Sequence, residues 1–133
     1  MKFWDSSALV PLLFDEETTR TLVSLVTADP MVLVSFVTPV ELASAITRRV
    51  RDTREARPIF DALENGWTVI DDYERILRRA RSLAVRYGLR SGDAIQLSSA
   101  IEADTDGTRA MPFICLDQEL LAAARAEGFP TLP

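Results

Sequence analysis

The run Met31–Ser35 (MVLVS) is apolar and β-branched, and a helix start follows it within three residues. A strand with apolar side chains on both faces has to be covered on both faces, which is the situation of a strand inside a parallel sheet. The same alternation recurs along the chain. Lys2–Asp5 and Trp67–Asp71 (WTVID) read as strands, Met111–Leu116 contains one, and Pro130–Leu132 forms a last edge strand. Helices are predicted over Ser6–Phe14, Glu17–Ala28, Thr38–Asp52, Glu55–Asn65, Tyr73–Tyr87, Ser91–Ala103 and Asp117–Glu127, with a loop over Asp104–Pro112. The signals are local. Thr38 at the N-cap, Pro39 at N1 and Glu41 at N3 spell a capping box. Ile76, Leu77, Ala80, Leu83, Ala84 and Tyr87 line one helix face, and Gly66, Gly88 and Gly128 close their helices. Ser91–Ala103 is apolar on most sides and reads as a buried helix. This order predicts an α/β fold: three layers, α/β/α, around a mainly parallel sheet of four to five strands. At 133 residues the chain is expected to be one domain, 1–133, with neither linker nor repeat.

Absences narrow the chemistry. Histidine is missing, which excludes Ser-His-Asp and Cys-His sites and histidine-based ribonuclease chemistry. Lys2 is the only lysine, so a P-loop is excluded, and neither G-x-S-x-G nor G-x-G-x-x-G occurs. Cys115 is alone, which rules out an internal disulfide and points to the cytoplasm. No apolar run approaches the roughly 20 residues of a membrane span, and the N-terminus lacks the basic region and cleavage site of a signal peptide.

Four carboxylates stand out against this background: Asp5, Glu41, Asp93 and Asp117, each where a strand or turn gives way to a helix. Asp5, Asp93 and Asp117 each suit a helix N-cap, worth about 1 kcal/mol, and Glu41 completes the capping box. Capping and metal binding are compatible, because a cap uses one oxygen and leaves another free. In a parallel sheet ligands bind outside the carboxyl ends of the strands, near the switch in strand order. Carboxylates about 4 Å apart repel by roughly 1–4 kcal/mol, so four that converge there need a cation or protons. The cation would be hard: Mg2+, with Mn2+ able to substitute, and not zinc, given no histidine and one cysteine.

The net charge of −5 argues weakly against nucleic acid, but its distribution is uneven. Arg75–Arg90 holds six arginines and no acid, and Arg48–Arg57 holds five arginines against Asp52 and Glu55. These segments are either solvated helix faces or a rim that tracks phosphates around an acidic centre.

The segments F-W-D-S-S-A-L-V-P-L, T-P-V-E-L-A-S-A-I, G-L-R-S-G-D-A-I-Q-L-S-S-A and F-I-C-L-D-Q-E-L-L-A-A-A-R-A-E-G-F, in this order, resemble those of PIN-domain ribonucleases, and within them the VapC-like toxins of toxin–antitoxin modules. The resemblance spans the chain. It implies that Asp5, Glu41, Asp93 and Asp117 form an acidic metal site, with Ser6 as a supporting hydroxyl. The position two before the last acid is commonly Thr or Ser in that family and is Cys115 here, and the fourth acid is the family's least constant one.

What the resemblance implies is a Mg2+-dependent endoribonuclease that hydrolyses RNA by metal-activated water, leaving 5′-phosphate and 3′-hydroxyl ends. It also implies a cognate antitoxin and assembly as a homodimer or hetero-oligomer, with the apolar helices at Ala8–Leu13 and Leu22–Val26 as one possible surface. Two other classes remain open: a non-catalytic PIN-like domain that binds RNA or protein, and another Mg2+-dependent phosphoesterase or DNase. Against a haloacid-type phosphatase, strand one ends in W-D-S-S and no lysine follows downstream.

Overall fold

A computed structural model describes residues 1–14, 16–50, 54, 61 and 65–133. Among these residues five strands form one sheet: β1 (Lys2–Trp4), β2 (Val32–Ser35), β3 (Trp67–Ile70), β4 (Phe113–Ile114) and β5 (Thr131–Leu132). Their spatial order is β3-β2-β1-β4-β5, and every pairing is parallel. Around them lie α1 (Ser6–Leu13), α2 (Thr19–Ala28), α3 (Thr38–Arg49), α4 (Tyr73–Tyr87), α5 (Ser91–Ala103) and α6 (Gln118–Ala126). The helix expected over Glu55–Asn65 lies outside the described residues apart from Asp61 and Asn65. Among the described residues no helix is long and apolar enough to cross a membrane.

The side-chain alternation of the strands sorts the core into two halves. Phe3, Leu33 and Phe113 point to one face, where Leu83, Leu97, Leu120 and Phe129 cover them. Trp4, Val32, Val34 and Ile114 point to the other, against Leu9, Leu22, Leu42 and Ile46. Thus α4, α5 and α6 cover one face and α1, α2 and α3 the other. Ala8, Leu9 and Leu22, from the two segments named above as a surface for assembly, are fully buried in this second half.

The chain runs outward from β1 through β2 to β3, then returns to the other side of β1 for β4 and β5. The switch point therefore lies between β1 and β4, whose registers place Phe3 beside Phe113 and Trp4 beside Ile114. A backbone bond from Asp5 N to Ile114 O (2.9 Å) extends this pairing to the carboxyl end of β1. A ligand crevice is expected immediately beyond this point.

Candidate metal centre

Asp5 leaves β1 at that crevice and caps α1, accepting the Ser7 amide at 3.0 Å on Oδ2. Asp117 follows β4 and caps α6, accepting the Leu120 amide at 2.9 Å. These two acids are caps, as expected. The other two are not. Helix α3 starts one residue earlier than the capping box requires, so its N-cap is Val37, which gives no side-chain bond. Thr38 is instead a buried residue whose hydroxyl accepts from Gln96, and Glu41 turns inward. Helix α5 likewise begins at Ser91, with Arg90 at the N-cap, which leaves Asp93 in the first turn with no capping bond. Capping patterns register only local hydrogen bonds: a tertiary partner, Gln96, takes Thr38 and Glu41, while at Asp93 the helix has already begun at Ser91.

A polar network built by three helices holds Glu41. Ser6 donates to its Oε1 at 3.2 Å, and Gln96 Nε2 donates to the same oxygen at 2.7 Å. Gln96 Nε2 also lies 3.1 Å from Ser6 Oγ and 3.1 Å from Thr38 Oγ1. Ser6 is therefore tied to Glu41. A second group surrounds Cys115, whose thiol contacts Asp5 Oδ2 at 3.6 Å, while Ser7 Oγ accepts the Leu116 amide at 3.0 Å. Burial, and next the charge of Asp5, push the thiol up to about 12. It stays protonated and gives Asp5 a weak S–H donor where a hydroxyl would give a stronger one.

The electrostatics link the four acids. Burial holds the Asp5 carboxyl above its usual range, and the Glu41 charge adds to this, against the lowering bonds from Ser7. Asp93 is pushed up to about 6, first by burial and then by the charges of Asp117 and Asp5, with Arg90 opposing. Among the described residues none of the four acids makes an ion pair.

The sign of the Asp93 shift gives a prediction. Its folded value of about 6 lies above the ordinary 3.8, so the folded state binds the proton more tightly. The stability this provides is present below about pH 4 and is lost as pH rises through about 6. In urea unfolding of the metal-free protein, Asp93→Asn should therefore gain on wild type between pH 4.5 and pH 7. Asp93 is partly exposed, so solvent screening reduces the gain to about 1 kcal/mol. A constant difference across this range would show that the Asp93 carboxyl is not raised.

The residues fit a hard divalent cation in kind: all donors are carboxylate oxygens, two of the four acids resist ionisation, and none makes an ion pair among the described residues. The fit in spacing is looser. Among the described residues no three His, Cys, Asp or Glu side chains are gathered tightly enough to hold an ion as they stand.

The arginines are more committed than the sequence indicates. On α4, Arg75 and Arg79 both pair with Glu102 at 3.0 Å, Arg78 pairs with Glu74 at 2.8 Å and Arg86 with Glu127 at 2.9 Å. Arg49 pairs with Glu16 and lies over the Phe14 ring. Arg51 and Arg57 lie outside the described residues. Of the Arg75–Arg90 segment, Arg81 and Arg90 make no ion pair among the described residues, and the charge of Arg90 lowers Asp93.

Sequence reasoning missed Ser7, Thr38 and Gln96 as parts of this centre. For Gln96 a signal existed: a long polar side chain in an otherwise small and apolar buried helix, three residues after Asp93, needs a partner.

A family model described as PIN domain matches residues 2–127. No curated protein matches the sequence significantly. Among solved structures, a toxin–antitoxin complex from Klebsiella pneumoniae superposes with a TM-score of 0.69 at 18% identity, covering 100% of this chain and 97% of that one. A sarcin–ricin loop cleaving VapC toxin from Mycobacterium tuberculosis gives 0.69 at 18% identity, covering 97% and 96%. A VapBC complex from Rickettsia felis, bound to a promoter DNA fragment, gives 0.69 at 12% identity, covering 98% and 96%. At these identities the likeness is one of fold.

Proposed function

Since the chain belongs to the PIN-domain family, we propose that it is a Mg2+-dependent endoribonuclease and the toxin of a toxin–antitoxin pair. The observation that carries this reading is electrostatic: buried Asp5 and half-buried Asp93 are both held above the usual carboxylate range, beside Glu41 and Asp117, at the switch point of a parallel sheet. Leaving such charge unpaired is unfavourable, and a site for a divalent cation gives it a purpose.

Asp5 and Asp93 would hold the cation, with Glu41 and Asp117 joining directly or through water. Bound there, Mg2+ (or Mn2+ in its place) would acidify water and offset charge on the phosphoryl oxygens. The chain's own residues do the rest. The helix starts keep Asp5 and Asp117 oriented, Ser6 and Gln96 fix Glu41, and Arg90 with Arg81 meets backbone phosphates. No side chain is needed as nucleophile, in keeping with the lack of histidine. Hydrolysis by this route leaves 5′-phosphate and 3′-hydroxyl ends. The sarcin–ricin loop cleaving toxin supports an RNA substrate, and the complexes from Klebsiella and Rickettsia support an antitoxin partner. Assembly as a homodimer or with the antitoxin, in the cytoplasm, completes the proposal.

The test is metal removal. Cleavage of structured RNA should stop in EDTA and return with Mg2+ or Mn2+; cleavage that persists without metal would rule the mechanism out. That no three such side chains among the described residues are gathered tightly enough to hold an ion favours a second reading, a non-catalytic PIN-like domain that binds RNA or protein. RNA binding with no turnover at any Mg2+ or Mn2+ concentration would establish it. Assays with single-stranded DNA and small phosphoesters separate both from a DNase or another phosphoesterase.

A further inference from the structure

Gln96 is 1% exposed, among the least accessible polar side chains of the chain. Its amide meets three acceptors on two other helices: Ser6 of α1, and Thr38 and Glu41 of α3. Two amide hydrogens serve all three, and the shortest contact, 2.7 Å, is to the carboxylate. The orientation of the amide follows from that contact, because a carbonyl turned toward Glu41 would set two acceptors against each other. Its own Oε1 is buried without a partner among the described residues, so the group is held by its donor end alone.

The consequence falls on Glu41. Its Oε1 receives both Gln96 and Ser6, and no bond to Oε2 is present among the described residues. Oε2 lies 3.5 Å from the point a Cβ on Gly92 would occupy. Gly92 immediately precedes Asp93, so the uncommitted oxygen faces the first turn of α5.

We propose that Gln96 is a positioning residue that clamps Glu41 by one oxygen and presents the other toward Asp93 for cation binding. This rests on the metal-site reading above. Gln96 itself touches neither cation nor RNA. An apolar side chain of similar length would fill the same space and maintain the packing of α5 against α1 and α3, but would release Oε1. Glu41 would then sample orientations in which Oε2 no longer faces Asp93.

The experiment compares wild type with Gln96→Met, which preserves length and volume but has no donor. Mn2+ binding is measured by calorimetry on the RNA-free protein, alongside thermal melting and steady-state RNA cleavage. The Mn2+ dissociation constant should rise roughly tenfold or more, as when partners of metal ligands are removed. The kcat should fall while KM for RNA stays level and the melting temperature stays within a few degrees. Unchanged Mn2+ affinity and kcat in Gln96→Met would overturn the clamp and leave the functional reading intact. Wild type that binds no Mn2+ would overturn the functional reading, and the clamp with it. Should Gln96→Met fail to fold, Gln96→Ala removes the same donor without demanding the space: weaker Mn2+ binding supports the clamp, and unaltered binding overturns it.

Discussion

Asp5→Asn should leave the protein folded, as stable as wild type or more so, and reduce RNA cleavage roughly a thousandfold, on the scale of several kcal/mol of lost charge stabilisation. The substitution separates the two roles of one side chain. Asn caps a helix about as well as Asp, and its carbonyl can accept the Ser7 amide as Asp5 Oδ2 does. What it removes is a negative charge that is only 5% exposed and is opposed by burial and by Glu41. Folding gains from that removal, while a neutral amide oxygen is a much poorer ligand for a hard cation. Melting curves in EDTA and cleavage rates in Mg2+ check both halves. A variant that cleaves like wild type would remove Asp5 from the metal site, and one that melts well below wild type would show that its charge stabilises the fold.

Phe113→Ala should be the most damaging single truncation in the sheet, at about 3–5 kcal/mol. Phe113 is fully buried in the two-residue strand β4, its ring 5.4 Å from Phe3 and 6.1 Å from Phe129. It packs β4 against β1 and against the turn that leads into β5. Small domains have about 5–15 kcal/mol in total, so the variant would lose a large share and melt roughly 10–20 °C lower. Val40→Ala, at a residue 71% exposed, provides the contrast and should change stability by less than about 0.5 kcal/mol. Because β4 delivers Asp117 to the crevice, Phe113→Ala should also weaken metal binding, whereas Val40→Ala should not. Equal melting temperatures for the two variants would show that the inferred core is wrong.

Strand and helix order, the parallel sheet and its buried helix were legible because each rests on local pattern. Apolar β-branched runs, helical periodicity and closing glycines are all read within ten or fifteen residues. Asp5 and Asp117 were legible as caps for the same reason, since the bonds they accept come from amides two and three residues on. Glu41 and Asp93 were legible as acids at helix starts, but their surroundings were not. The bonds that fix Glu41 come from Ser6, 35 residues away, and from Gln96, 55 residues away.

By itself, then, the sequence determined the alternation of elements, the α/β class, the acids at the helix starts and the exclusion of histidine and lysine chemistry. These follow from side-chain type and short-range spacing alone. Only the tertiary structure decided that strand order reverses between β1 and β4. It also decided that Asp93 is raised by burial and then by Asp117 and Asp5, that most α4 arginines are paired on the surface, and that Gln96 holds Glu41 by a single oxygen. Burial, charge coupling and hydrogen bonding across layers depend on distances through space, and these exist only once the helices have packed on the sheet.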